Sequence, residues 1–192
     1  MRRAQRQIRL ASYYEDARLL ARKVTSWAKE AGAEGELVVC SGGGPGMMEA
    51  ANRGATEAGG QSVGLTISLP HEPRPNRYIS PGLAVEFHYF FMRKFWFMYL
   101  ARALVVFPGG YGTMDELFEV LTLLQTRKVQ RPVEVIVYGR EYWDEVVNFD
   151  KLVEWGTISA ADRALIHLVD DVEEAFTILT RTITAPKAGK SG

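Results

Sequence analysis

A short apolar run that ends in a cluster of glycines and restarts as a helix occurs twice in this chain. Leu37-Val38-Val39-Cys40 leads into Ser41-Gly42-Gly43-Gly44-Pro45-Gly46 and a helical stretch over 47–58. Ala103-Leu104-Val105-Val106-Phe107 leads into Pro108-Gly109-Gly110-Tyr111-Gly112 and a helix over 113–126. Strands this short, and this rich in Val and Leu, are covered on both faces. Further strands at 62–67, 132–138 and 165–169 alternate with helices at 13–31, 88–102, 142–155 and 171–182. That order predicts an α/β fold, a parallel sheet with helices on both faces wound in right-handed βαβ units. Pro70, Pro73, Pro75 and Pro81 predict a loop after the 62–67 strand.

With 192 residues, one domain is expected over 1–185, followed by a flexible tail over 186–192. Lys plus Arg and Asp plus Glu are each 23, a net charge of zero, so no overall basic field gathers a nucleic-acid polymer or an anionic membrane. Anion binding has to be local. Cys40 is the one cysteine, which excludes an intrachain disulfide and suits a reducing cytoplasm. Gln5, Gln7 and Arg9 interrupt any signal-peptide core, and the aromatic run 95–101 is far shorter than the ~20 apolar residues of a membrane span. A cytoplasmic location is therefore expected.

In a parallel sheet the strand-to-helix turns share the carboxyl edge, so both glycine-rich loops are expected to open on one side and serve one ligand. Glycines let the backbone approach closely, and a helix N-terminus offers free N–H groups and a favourable dipole, which suits a phosphate. The alternative is that the glycines only make tight turns. A dinucleotide site is not indicated: G-x-G-x-x-G beginning at Gly42 would need glycine at Met47, and the 62–67 strand does not end in an acid. The G-x-x-x-x-G-K pattern of nucleoside triphosphatases is absent. His71, His88, His167 and Cys40 have no metal-ligand spacing, so neither a metal nor a cofactor is expected.

The stretch from Phe87 to Leu100 is apolar on nearly every helical face, which predicts contact with the sheet on one side and a second copy of the chain on another. Arg93 and Lys94 lie within it. An unpaired buried charge costs several kcal/mol, so Arg93 is expected to have an acidic or anionic partner unless its head reaches water. Glu116 follows Thr113 by three residues, the spacing of a helix capping box. The rival reading turns Glu116 toward the ligand, where Arg93 and Glu116 form the ion pair of an active site.

Ser41-Gly42-Gly43-Gly44-Pro45-Gly46-Met47-Met48-Glu49-Ala50-Ala51-Asn52-Arg53-Gly54-Ala55, Arg93-Lys94 and Pro108-Gly109-Gly110-Tyr111-Gly112-Thr113-Met114-Asp115-Glu116 resemble the Lonely Guy family of nucleoside 5′-monophosphate phosphoribohydrolases. The P-G-G-x-G-T-x-x-E signature is matched without departure. The resemblance implies a Rossmann-like three-layer fold and cleavage of the N-glycosidic bond of AMP or a cytokinin riboside monophosphate, giving free base and ribose 5-phosphate. It implies catalytic roles for Arg93 and Glu116, and ribose-phosphate binding by Lys94, Gly109, Gly110, Tyr111, Gly112 and Thr113. Gly42, Gly43, Gly44 and Gly46 are added from the first loop, and Thr122 from the helix after the second. A homodimer or larger homo-oligomer that needs no cofactor is expected.

Members of this family often carry the label lysine decarboxylase. A pyridoxal-phosphate decarboxylase needs a Schiff-base lysine, and no Ser-x-His-Lys segment is present. The family's usual first strand, ending in a F-G-S-A/G-R turn, has no counterpart in residues 1–12, where Arg9-Leu10-Ala11-Ser12 is a poor substitute. The non-catalytic alternative is a module that holds a nucleotide or phosphorylated cofactor without turnover.

Overall fold

The structure is a computed structural model that describes residues 2–68 and 75–183. His71, Pro70, Pro73 and the tail over 186–192 lie outside the described residues. In chain order the elements are α1 (Arg2–Glu30), β1 (Val39–Ser41), α2 (Met47–Glu57), β2 (Ser62–Ile67), β3 (Ala84–Phe87), α3 (Phe90–Leu100) and β4 (Ala103–Val106). There follow α4 (Tyr111–Gln125), β5 (Glu134–Tyr138), α5 (Arg140–Val146), α6 (Phe149–Glu154), α7 (Ala160–Arg163), β6 (Ile166–Val169) and α8 (Val172–Thr182). Two compact units result, one within Met1–Tyr99 and one over Leu100–Ile183. Each contains a three-stranded parallel sheet, ordered β1-β2-β3 and β4-β5-β6. The parallel α/β reading is borne out. Among the described residues no helix is long and apolar enough to cross a membrane.

In the first unit α1 packs along α2. Ala17, Leu20, Ala21 and Ala28 of α1 and Ala50 and Ala55 of α2 are buried, and these mostly small side chains let the two helices come close. Closest approach is at Gly54, where a β-carbon would lie 2.1 Å from the Arg18 carbonyl oxygen and 2.9 Å from the Ala21 β-carbon. Polar contacts rim this apolar seam. Arg18 Nε donates to Glu57 Oε2 at 2.7 Å, and Arg53 Nε to Glu57 Oε1 at 2.9 Å. Arg18, and to a lesser degree Arg53, hold the Glu57 carboxyl below the usual carboxylate range.

In the second unit the consecutive residues Val135, Ile136, Val137 and Tyr138 of β5 are all buried. Successive side chains point to opposite faces of a sheet, so both faces of β5 are covered. Trp143 of α5 is wholly buried and its indole N–H donates to the Tyr138 carbonyl at 2.9 Å. This bond satisfies the ring's one polar atom and fixes the start of α5 against its own strand.

Several boundaries differ from expectation. α1 begins at Arg2 rather than near residue 13, because residues 2–12 hold no Gly or Pro to stop a helix. β1 runs Val39–Ser41, shifted toward the glycines, and α3 is Phe90–Leu100, shorter than 88–102. β3 falls within the stretch read as loop. Its Ala84, Val85 and Glu86 side chains are exposed, so backbone pairing with β2 makes the strand and no apolar pattern announces it. The helix expected over 142–155 is broken into α5 and α6. Val147 is extended there, and the Asn148 side chain caps α6 by accepting from the Lys151 N–H at 3.0 Å.

Replacement of Gly54 by Ala tests the α1–α2 seam. Helix propensity alone favours Ala over Gly by about 1 kcal/mol, whereas the added β-carbon meets backbone. A net loss of about 1–3 kcal/mol in urea unfolding is expected; a gain in stability would contradict this packing.

Candidate functional site

The first glycine turn is held from beneath by three polar side chains. Ser41 Oγ accepts the Gly43 N–H at 3.0 Å and donates to Asn52 Oδ1 at 2.6 Å. Asn52, with no exposed surface, donates from Nδ2 to the Val63 carbonyl at 3.2 Å. Asn76 Nδ2 donates to Asn52 Oδ1 at 2.9 Å and to the carbonyls of Gly43 and Gly44 at 3.1 and 3.2 Å. The Gly43 carbonyl also accepts the Asn76 N–H at 2.8 Å. These bonds use the inward backbone groups of the turn, while the Met48 side chain lies against Gly42 and Gly44. Gly46 then opens α2 with no side-chain cap, but Glu49 already places a carboxylate in its first turn. A negative charge there offsets the dipole that would draw an anion.

The second turn differs on that point. Pro108 is buried after β4, Gly110 is the extended N-cap of α4, no side chain caps it, and its first turn holds no acidic residue. This end of α4 keeps its attraction for an anion. The turn is tight: a β-carbon on Gly109 would lie 2.1 Å from Thr113 Oγ1. Tyr142 on α5 donates its hydroxyl to the Gly109 carbonyl at 2.5 Å. Tyr111, at the first position of α4, is 96 % exposed.

The capping-box reading of Thr113 and Glu116 is overturned. α4 begins at Tyr111 with Gly110 as its cap, so Thr113 is already the third helical residue and Glu116 falls in the second turn, half-buried. A box needs its Ser or Thr one residue before the helix. Glu116 therefore lies beyond the reach of a reciprocal cap, beside the buried Leu117. Thr122 is exposed, and its hydroxyl donates to the Phe118 carbonyl at 2.7 Å.

Arg93 and Lys94 lie on α3, both half-buried. The Arg93 guanidinium stands 5.1 Å from the centre of the Phe90 ring and 5.9 Å from that of Phe97, a cation–π setting that holds the group in an apolar neighbourhood. Within the single chain α3 is largely exposed. Met98 is its buried residue, while Phe91, Phe95 and Tyr99 are exposed by 66, 54 and 61 %.

Asn52, Asn76 and Tyr142 were not singled out by the sequence reading. Asn52 had a signal, a polar residue on the face of α2 that also carries Ala55. Asn76 and Tyr142 had none, since their roles depend on contacts across 33 residues each.

Parallel strands joined to helices by glycine turns define a Rossmann-like α/β protein. Solved structures share this fold: a molybdenum cofactor carrier protein from Chlamydomonas reinhardtii (TM-score 0.59, 19% identity, 90% of this chain and 89% of that one), and a molybdenum cofactor binding protein from Rippkaea orientalis (TM-score 0.63, 18% identity, 90% and 88%). The family profile described as "Possible lysine decarboxylase" matches residues 48–179. The chain belongs to that family, the one that includes the Lonely Guy proteins. It is similar to a probable cytokinin riboside 5′-monophosphate phosphoribohydrolase of Oryza sativa subsp. japonica, 31% identical over 145 residues, 74% of this chain and 62% of the relative. A cytokinin riboside 5′-monophosphate phosphoribohydrolase of Arabidopsis thaliana is 31% identical over 144 residues, 74% of this chain and 66% of the relative. The chain thus spans about three fifths of the length of the first of these.

Asn52→Leu tests the support of the first turn. It removes the Asn52 donor from the Val63 carbonyl and the Asn52 acceptor from Ser41, and leaves Asn76 with the Gly43 and Gly44 carbonyls alone, so a loss of about 3 kcal/mol in chemical unfolding is expected. A variant as stable as the parent would show that the network contributes little.

Proposed function

We propose that this chain hydrolyses the N-glycosidic bond of a nucleoside 5′-monophosphate, AMP or a cytokinin riboside monophosphate, to free base and ribose 5-phosphate. One observation carries the reading: the uncapped, acid-free N-terminus of α4 follows Gly109-Gly110, and the half-buried Glu116 lies one turn further along the same helix. An anion-attracting first turn and a carboxylate in the second provide the two groups such a substrate needs. Family membership and the named relatives support the same chemistry.

In this proposal Gly109, Gly110, Tyr111, Gly112 and Thr113 hold the ribose phosphate with Lys94, and Arg93 and Glu116 are the catalytic residues. Glu116 takes a proton from the attacking water and stabilises the positive charge that develops on the ribose. The water oxygen bonds to the anomeric carbon as the bond from that carbon to the base nitrogen breaks. The base nitrogen keeps the bonding electron pair and takes a proton from solvent, and Glu116 returns its own proton to solvent, so the net change is addition of water across the bond. Arg93, held against Phe90 and Phe97, orients the substrate. Gly42, Gly43, Gly44 and Gly46 shape the first turn, with Thr122 a lesser contributor on α4. The proposed protein acts in the cytoplasm as one nucleotide-binding domain per chain. The exposed aromatic face of α3 supports a homodimer or larger assembly, since apolar aromatic patches of this kind are typical of subunit contacts.

Glu116→Gln is expected to lower kcat for base release from AMP or a cytokinin nucleotide by about 10²–10⁴-fold while the melting temperature stays near that of the parent; undiminished turnover sinks the assignment. Sedimentation of the same preparations should report a dimer or larger species. The non-catalytic alternative requires tight nucleotide binding with no base released by the parent chain.

A further inference from the structure

We infer that Tyr142 is a positioning residue for the phosphate-binding turn, fixing the peptide between Gly109 and Gly110 so that its N–H faces the ligand; this rests on the function proposed above. Gly109 and Gly110 have no side chains to hold that peptide, and two adjacent glycines are the most mobile dipeptide a chain can offer. The Tyr142 hydroxyl donates to the Gly109 carbonyl at 2.5 Å. In a planar trans peptide the carbonyl and the following N–H point in opposite directions. Anchoring the oxygen on the α5 side therefore turns the Gly110 N–H to the opposite side, where Gly110 itself is exposed. Without the anchor, this peptide is free to turn over and present a carbonyl, which repels an anion.

The anchor stands on a rigid support. Tyr142 meets the Trp143 ring edge-on at 5.2 Å and 87°, and Trp143 is wholly buried. The Gly139 N–H donates to the Val169 carbonyl at 2.8 Å, and the Arg140 N–H to Asp170 Oδ1 at 2.7 Å, so the β5–α5 turn is tied to the end of β6. In a parallel sheet the turns after adjacent strands β4 and β5 are neighbours. The β5–α5 turn thus steadies the turn before α4 through one hydroxyl.

Tyr142→Phe keeps the ring and removes the donor. Its kcat/KM for AMP is expected to fall about threefold to tenfold, with little change for adenosine, which lacks the phosphate, and its affinity for ribose 5-phosphate by calorimetry should fall by the same factor. The ratio of the two kcat/KM values is taken within one preparation, so a lower folded fraction cancels. An equal fall on AMP and adenosine, or an unchanged affinity for ribose 5-phosphate, overturns the inference. If the parent chain releases no base from any monophosphate, the proposed function falls while the ribose 5-phosphate comparison still decides the role of Tyr142. A parent chain that does not bind ribose 5-phosphate overturns both.

Discussion

Burial of the Asn52 amide constrains the first unit more than any other single group. A side chain with no exposed surface must find partners for its donors and acceptor or lose several kcal/mol. Asn52 meets that demand only if the end of β1, the β2 backbone at Val63 and the Asn76 segment converge on it. The first glycine turn is a consequence of this convergence. Its inward N–H and C=O groups are used internally, and Glu49 supplies the charge that an anion would otherwise bring to α2. At the second turn the described residues show a different support. One hydroxyl, from Tyr142, holds it from the side, and the amino end of α4 stays open.

The two glycine motifs therefore divide their work. In the G-G-G-P-G-x-M-E-A-A-N-R-G-A segment, Asn52 ties strands to loop, and Gly54 admits the α1 backbone. Arg53 lies at the surface with Glu57, 5.8 Å from the centre of the Tyr78 ring. These are tasks of folding. In P-G-G-Y-G-T-M-D-E the helix start falls before Thr113, which removes the capping role from Glu116.

Much of this was legible in the sequence because its causes are local. Apolar runs such as Val135–Tyr138 mark strands covered on both faces, and glycines mark the turns that follow. The sequence was silent where structure arises from distant pairing. β3 is made by backbone bonds to β2 while its own side chains are exposed, so no periodicity marks it. The break at Val147 lacks Gly or Pro and shows only as an Asn cap. Thr113 and Glu116 have the spacing of a capping box, yet the helix cap falls three residues earlier, at Gly110, which assumes the extended cap conformation. For the site, the P-G-G-x-G-T-x-x-E residues were legible and their supports Asn76 and Tyr142 were not, since each acts across a long stretch of chain.

The central claim is that the open turn before α4 holds a phosphate so that the glycosidic bond beyond it can be cut. The direct measurement is incubation of the parent chain with a panel of nucleoside 5′-monophosphates and their nucleosides, with base and sugar products separated by chromatography. Free base and ribose 5-phosphate in equal amounts, formed far faster from a monophosphate than from its nucleoside, are the predicted result. No base from any monophosphate, or equal rates with and without the phosphate, would contradict it.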